Sequence, residues 1–373
     1  MVNKKLLLGI STLVGSVVGA GFLGIPYVVA KSGFLIGTIH MIAICIIMML
    51  VNLALGEIIL STKKQQQLPG YVSHYLGKKT KIFVFIASIV AFYAALLAYL
   101  IGEGQSISFL IFSNTKYAFA VSIIFWIAML FLTNEGIREF KKILPLGIAG
   151  IFLVTLILGI ININNISLAN ISYTDPTYLF LPFGVTLFAF LGVSAVPEVK
   201  RVLQKNTKLM KKSIIIGSFI PLVIYFIFTL VVLGLHGSAI EQVAAISLGK
   251  ITTLLGVVTM FTAFLALSLA LQDTYRFDFN LRFRYAWILG IAIPILLFIP
   301  VSLFNLAGFV KVLSIGGSIA GGLLGISILL AHEHLQTMKK KTERKPEYKI
   351  NIPLMLKILF IVLFVVGILY EFL

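Results

Sequence analysis

The sequence predicts an all-α polytopic membrane protein of about eleven transmembrane helices, two of them interrupted in mid-span. Three observations predict it. Of the 373 residues, 60% are hydrophobic and only 12% charged, with a mean hydropathy of +1.07. Apolar runs of about 20 residues, the length that crosses a bilayer, recur along the whole chain. The Lys and Arg residues gather in alternate connections between those runs. The ten-residue alternating segments of an outer-membrane barrel do not occur.

The runs place the spans at 6–30, 34–60, 82–112, 117–133, 143–163, 178–197, 213–235, 251–272, 286–304, 306–331 and 352–372. The first follows Lys4 and Lys5, as in a signal peptide, but it is longer than the apolar core of one and further spans follow directly. Little polar sequence divides spans nine and ten. With the N-terminus in the cytoplasm, the inner segments 1–5, 61–81, 134–142, 198–212, 273–285 and 332–351 hold 25 of the 30 Lys and Arg residues. Lys357, at the inner start of the last span, makes 26, and only Lys31, Lys116, Lys250 and Lys311 fall outside. The expected topology has the N-terminus cytoplasmic and the C-terminus extracytoplasmic, in the plasma membrane. The net charge of +17 then reads as orientation signals that touch anionic lipid, not as a nucleic-acid footprint. No soluble domain is expected. The lone Cys45 allows no intrachain disulfide and no cysteine metal cluster. Asn165-Ile166-Ser167 and Asn170-Ile171-Ser172 match the glycosylation pattern in an outer connection, where chance in an Asn-rich stretch is the simpler explanation.

Span one carries Gly15-Ser16-Val17-Val18-Gly19-Ala20-Gly21-Phe22-Leu23-Gly24-Ile25-Pro26. Glycine and proline both weaken a helix, and loose backbone inside a bilayer is tolerated only where it is buried in protein or lines a cavity. The match of Gly19 to Gly24 with G-x-G-x-x-G fails as a nucleotide motif, because no strand precedes it and no acidic residue follows at the required distance. Close helix packing through Gly15-x-x-x-Gly19 is the competing reading. If the helix unwinds, freed N–H groups at the start of the outer half can hold a carboxylate. Freed carbonyls at the end of the inner half can hold an ammonium group or a cation. That is the chemistry an α-amino acid requires. Span six repeats the pattern, with Pro182, Gly184, Gly192 and Pro197, and Phe188 and Phe190 as candidate walls of an apolar side-chain pocket. Two broken spans, five apart and of opposite orientation, are what an inverted five-plus-five repeat predicts.

Gly15-Ser16-x-x-Gly19-Ala20-Gly21-x-Leu23-x-x-Pro26 resembles the first-helix motif of the amino acid/auxin permease family, within the amino acid-polyamine-organocation superfamily. The chain is similar there to bacterial aromatic amino acid permeases. Phe264 to Asp273 resembles their eighth helix, and Leu55-Gly56-Glu57 and Leu68-Pro69-Gly70-Tyr71 are further likenesses. The resemblance implies a leucine-transporter-type fold, a single transmembrane domain with repeats at 6–163 and 178–331 and an extra C-terminal helix at 352–372. It implies cation-coupled amino acid uptake by alternating access. Carried over residue by residue, it sets the ligand carboxylate at the backbone of Gly19, Ala20 and Gly21, flanked by Val18 and Phe22, and the sixth-helix wall at Phe188, Ala189 and Phe190. A sodium ion of the wider superfamily would meet the carbonyls of Gly15 and Val18 and the Ser268 hydroxyl. The paired hydroxyls of helix eight are incomplete here, since Leu267 and Leu269 flank Ser268, which favours protons over sodium.

Ionisable residues inside spans are functional suspects. Glu57 and Asp273 lie near inner span ends and are expected to reach interfacial water. Glu103 lies in span three, one turn from Tyr99, and Ser88, Tyr99 and Ser106 share a helix face. Glu103 is a candidate proton carrier and Tyr99 a candidate substrate contact. His40 is expected to be a hydrogen-bonded bundle residue, His332-Glu333-His334 a solvated inner cluster, and Gly317, Gly321 and Gly325 a packing face. No catalytic cluster appears, so an enzyme is not expected, nor a metal or organic cofactor. The expected partners are an amino acid, the coupling proton or sodium ion, and the bilayer. The expected function is a cation-coupled transporter of neutral, aromatic or large apolar amino acids. A non-transporting amino acid sensor of the germinant-receptor type on the same fold is the alternative.

Overall fold

A computed structural model describes residues 2–64, 66–134, 144–278, 281–337 and 343–373. Its helices in chain order are α1 (Val2–Val17), α2 (Gly21–Ser32), α3 (Phe34–Ser61), α4 (Leu68–Leu76), α5 (Lys78–Phe112) and α6 (Ala118–Asn134). They continue with α7 (Leu144–Ile161), α8 (Leu168–Ser172), α9 (Leu181–Ala189), α10 (Val196–Leu203), α11 (Met210–His236) and α12 (Ala244–Ser247). The last are α13 (Lys250–Asp278), α14 (Phe283–Leu303), α15 (Phe309–Ile315), α16 (Gly322–Thr337) and α17 (Leu354–Tyr370). Among the described residues, seven helices are long and apolar enough to cross a membrane, or eight if α1 and α2, bent by 56°, count as one span. The shorter apolar helices α6, α7 and α17 stand where the remaining spans are expected.

The interruptions come where glycine and proline foretell them. Span one leaves helical geometry at Val18, Gly19 and Ala20. Span six breaks at Phe190, Leu191 and Gly192, resumes as a short tight turn over Val193–Ala195, and continues as α10. That span runs past its expected end at residue 197 as α10, where Lys200 donates from Nζ to Ile59 O near the end of α3 at 3.0 Å. Spans nine and ten part at Phe304 and Asn305, where Asn305 takes φ 50°. Gly33, with φ 95°, turns the chain from α2 into α3, and a side chain there would strike Thr174 Cα at 2.6 Å. Asp175 then caps the turn that follows; its carboxyl lies below the ordinary range because the Thr177 hydroxyl and N–H donate to it.

Side-chain contacts give the arrangement of the spans. Lys5 reaches Val202 O and Gln204, Leu13 and Val17 face Gly192, Gly21 faces Ala189, and Gly24 faces Val185. One number rises as the other falls, so spans one and six lie side by side and antiparallel. Spans two and seven pair in the same sense, Phe34 against Phe226, Cys45 on Ser218 O and Gly56 against Ile214. Spans three and eight do so through Tyr93–Tyr275 and Gly102–Met260. Spans four and nine do so through Thr133–Trp287, Trp126–Ile291 O and Phe119–Phe298. Each pair is five spans apart and of opposite polarity. Large apolar side chains such as Leu35, Ile82, Ile124 and Leu296 stay exposed on the outside of this bundle, as a lipid-facing surface requires.

The glycines of span ten form a packing face, as expected. A Cβ on Gly317 would meet Phe188 N at 2.6 Å, and one on Gly325 the Phe364 ring at 2.7 Å. Between α15 and α16 the helix widens into a π-helical stretch over Gly316–Gly321. Both ends of α17 are pinned, Lys357 by Glu333 at 2.6 Å and Glu371 by Lys311 at 2.9 Å.

Candidate functional site

The two breaks meet in the middle of the bundle. Gly21 sits so close to span six that a Cβ would lie 2.7 Å from Ala189 Cα and 3.1 Å from Ala189 N. Glycine is needed there for close approach, and the N-terminus of α2 is thereby held against the last turn of α9. No side chain caps that N-terminus, and within its first turn Leu23 N donates to Ala20 O at 3.0 Å. Gly15 and Gly19 remain partly accessible, while Val18, Ala20, Gly21 and Phe22 are buried. A Cβ at Gly15 would meet nothing within 4 Å. Gly15 therefore makes no close helix contact, which weakens the packing reading of Gly15-x-x-x-Gly19.

Tyr99, from α5, brings its hydroxyl to the first break: a Cβ on Gly19 would sit 3.0 Å from Tyr99 Oη. Phe22 and Phe190 come together through a residue that sequence reasoning missed. Tyr225 of α11 is fully buried, its ring stacked on Phe22 (5.8 Å, 4°) and tilted against Phe190 (5.0 Å, 60°). Its hydroxyl donates toward two carbonyls, Val17 O and Ala189 O, each at 3.0 Å. These are the last helical residues before each break. One proton thus serves the freed ends of both interrupted helices. The only signal in the sequence is a tyrosine in an apolar run, whose buried hydroxyl must find a partner. Asn52 of α3 was missed too. It is buried at the second break, where a Cβ on Gly192 would lie 3.3 Å from its Nδ2, and its Oδ1 has no partner among the described residues. Phe188 and Phe190 face different partners: Phe190 lies on Tyr225, whereas Phe188 lies against Gly316 of span ten.

Glu103 is fully buried, and among the described residues neither carboxyl oxygen has a hydrogen-bond partner. It lies four residues, about 40° of helix rotation, from Tyr99. An ionised carboxylate without a compensating group is costly to bury. Ser106 and Ser268 are likewise buried with unpartnered hydroxyls. Ser88, the outlying member of that stripe, bonds its own helix at Val84 O. Among the described residues no hydrogen bond joins Ser268 to Gly15 or Val18, and no group of three or more His, Cys, Asp or Glu side chains is placed to hold a metal. A cavity of about 420 Å³ opens elsewhere, lined by Gln105, Phe119, Gln242, Phe298 and Asn305. It shares α5 with Glu103 but none of the break residues.

Two expectations for charged residues are corrected. Glu57 does not reach interfacial water. It is buried, accepting from Ile350 N at 2.8 Å and from His332 Nε2 at 3.1 Å. His332-Glu333-His334 is not a solvated cluster, since His332 is fully buried on Glu57 and Glu333 pairs with buried Lys357. Long-range partners, invisible in local sequence, make these burials tolerable. His40 does bond within its helix, to Ile36 O at 3.0 Å.

Comparison with known proteins agrees with this architecture. Over 98% of its length the chain shares the fold of MhsT, whose crystal structure is in complex with L-phenylalanine, at a TM-score of 0.65 and 16% identity, covering 97% of that chain. It also shares the fold of the Eremococcus coleocola manganese transporter, crystallised with an aromatic bis-isothiourea substituted compound, at a TM-score of 0.64 and 12% identity over 97% of this chain and 84% of that one. The fold is the leucine-transporter type, with five-plus-five inverted repeats and one extra helix. Among characterised relatives, glutamine transporter 2 of Aliivibrio fischeri is 24% identical over 239 residues, 62% of this chain and 61% of the relative. Tyrosine-specific transport system 1 of Haemophilus influenzae is 24% identical over 228 residues, 59% of this chain and 56% of the relative. The chain thus matches about three fifths of the length of these relatives, which are transporters and not enzymes. The sequence profile of the tryptophan/tyrosine permease family matches residues 2–257, well over half of the chain, and the protein belongs to that family.

Proposed function

We propose that the protein is a secondary active transporter that carries a neutral amino acid, aromatic or otherwise large and apolar, together with protons by alternating access. The observation that carries this reading is the antiparallel pair of interrupted spans whose breaks meet at Gly21 and Ala189. The uncapped start of α2 offers N–H groups and the positive end of a helix dipole to a carboxylate at Gly19, Ala20 and Gly21. Carbonyls freed at Gly15 and Val18 face the ammonium end. Val18, Phe22, Tyr99, Phe188, Ala189 and Phe190 complete the surroundings. The aromatic rings around the breaks support an aromatic side chain, as do a tyrosine-specific relative and a structural neighbour holding L-phenylalanine.

Glu103 is the proton carrier in this reading, because it is a buried acid with no partner beside the break-facing Tyr99. Sodium would need the Gly15 and Val18 carbonyls with Ser268, the single hydroxyl in that part of α13, and is the weaker choice. The motif of span one supports placing the family among the amino acid/auxin permeases. The antiparallel span pairs support repeats at 6–163 and 178–331, with 352–372 as the extra helix. The distribution of Lys and Arg supports the plasma membrane with a cytoplasmic N-terminus.

Reconstitution tests the reading. Proteoliposomes with an imposed pH gradient should accumulate labelled tyrosine, tryptophan or phenylalanine, and collapse of the gradient should release it. Accumulation driven only by sodium would replace protons as the coupling ion. Saturable binding without accumulation or exchange would make the protein a sensor. Neither binding nor uptake of any of the twenty amino acids would overturn the assignment.

A further inference from the structure

The end of the molecule expected to face the cytoplasm is covered by a strap, residues 343–352, lying between α16 and α17. The strap is fastened chiefly to α3. Arg344 N donates to Ser61 O at 3.2 Å, Tyr348 Oη to Leu53 O at 2.9 Å, and Ile350 N to Glu57 Oε2 at 2.8 Å. Gln336 of α16 donates to Ile350 O at 2.7 Å. Thr207, before α11, donates to Glu347, which also pairs with Arg344. The fastening at Glu57 differs from the rest. Its carboxylate is buried and accepts both from the strap and from His332, a fully buried imidazole contributed by α16, 275 residues along the chain. His332 Nδ1 has no partner among the described residues. The transport reading gives this pair no task.

We propose that His332 and Glu57 form a proton-binding pair that fastens the strap, holding it on α3 when His332 Nδ1 is protonated and loosening it when that proton leaves to solvent. With the proton bound, the pair is an imidazolium and a carboxylate of no net charge. Without it, Nε2–H still donates to Glu57, but the carboxylate becomes a buried charge with no counter-charge, which is strongly unfavourable. Admitting water relieves that charge, and the way in is to lift Ile350 and Tyr348 from α3.

The surrounding groups do not supply the missing charge. On α4, Tyr75 shares its hydroxyl with Thr62 and is uncharged, and His74 is exposed and 3.6 Å from Glu343. On α16 and α17, Glu333 is neutralised by Lys357. In the strap, Arg344 and Glu347 neutralise each other, while Lys345 and Lys349 point to solvent. On α10, Arg201 pairs with Glu198 and Lys200 holds Ile59 O. Lys78, Lys79 and Lys81 at the start of α5 are exposed. Among the described residues, His332 is the imidazole in hydrogen-bond contact with Glu57.

Hydrogen–deuterium exchange of the full chain in lipid nanodiscs tests this without any transport measurement, because the Ile350 N–H is itself the donor to Glu57. Rates are corrected for the intrinsic effect of pH. Protection of the peptide containing Ile350 should fall about tenfold or more as the pH is raised from mildly acidic to mildly alkaline. Protection over α13 should stay constant. His332→Gln keeps a donor but cannot titrate, so its Ile350 protection should not depend on pH. Glu57→Gln, which leaves an acceptor and removes the buried charge, should behave alike and serves if His332→Gln does not fold. His74→Gln should keep the native profile. Constant protection in the native chain, an unchanged pH profile in His332→Gln or Glu57→Gln, or loss of the profile in His74→Gln would each overturn the proposal. Failure of amino acid uptake with this exchange pattern intact would instead count against the transport reading alone.

Discussion

Tyr225→Phe isolates the contact that joins the two interrupted helices. The ring slot between Phe22 and Phe190 accepts phenylalanine unchanged, so packing is conserved and one hydroxyl is removed. Val17 O and Ala189 O each lose a donor at 3.0 Å, and both residues are buried. A single proton serves both carbonyls, so the loss exceeds one ordinary hydrogen bond but falls short of two fully unpaired acceptors. At about 1–3 kcal/mol for a buried polar group left without its partner, the expected cost is about 2 kcal/mol. If the break must keep its shape for the ligand to bind, the same energy weakens affinity by about 30-fold. Binding of labelled phenylalanine to the purified variant, together with its thermal unfolding midpoint in detergent, measures both effects. Native affinity and a native midpoint together would refute the reasoning, since the hydroxyl would then hold nothing that matters. A lowered midpoint with native affinity would confine its role to stability.

Other substitutions test neighbouring claims. Gly21→Ala drives a methyl to 2.7 Å from Ala189 Cα and should abolish uptake at a cost of about 1–3 kcal/mol in stability, whereas Gly15→Ala enters open space and should leave folding intact. Size-exclusion profiles and uptake of the two variants give the comparison, and equal behaviour would remove the close-approach argument. Glu103→Gln removes a buried acid without leaving a hole. It should abolish pH-driven accumulation while preserving exchange of internal for external substrate, and unaltered accumulation would exclude it as the carrier. Trp126→Phe takes the donor from Ile291 O at 2.8 Å and should lower stability by about 1–3 kcal/mol with little change in affinity; an unchanged unfolding midpoint would show that the joint between spans four and nine does not depend on that bond.

The sequence by itself determined what depends on local composition. Apolar run length set the number and order of spans, because the bilayer imposes one length on every crossing helix. Gly19, Ala20 and Gly21 marked a break, because a helix loses its hydrogen-bonding advantage wherever the residues that support it are missing. Tertiary structure alone decided where polar groups find partners. Glu57 is next to Gly56 in the chain, but its burial depends on His332, 275 residues away, and on the Ile350 amide. Tyr225 looks like any aromatic in an apolar run until span seven brings its hydroxyl to Val17 O and Ala189 O. Phe188 and Phe190 look like one wall in the sequence, but helix rotation turns them to different neighbours. Hydrophobic burial is non-directional and legible from composition, whereas a buried hydrogen bond needs a donor and an acceptor within about 3 Å, a distance only the folded chain sets.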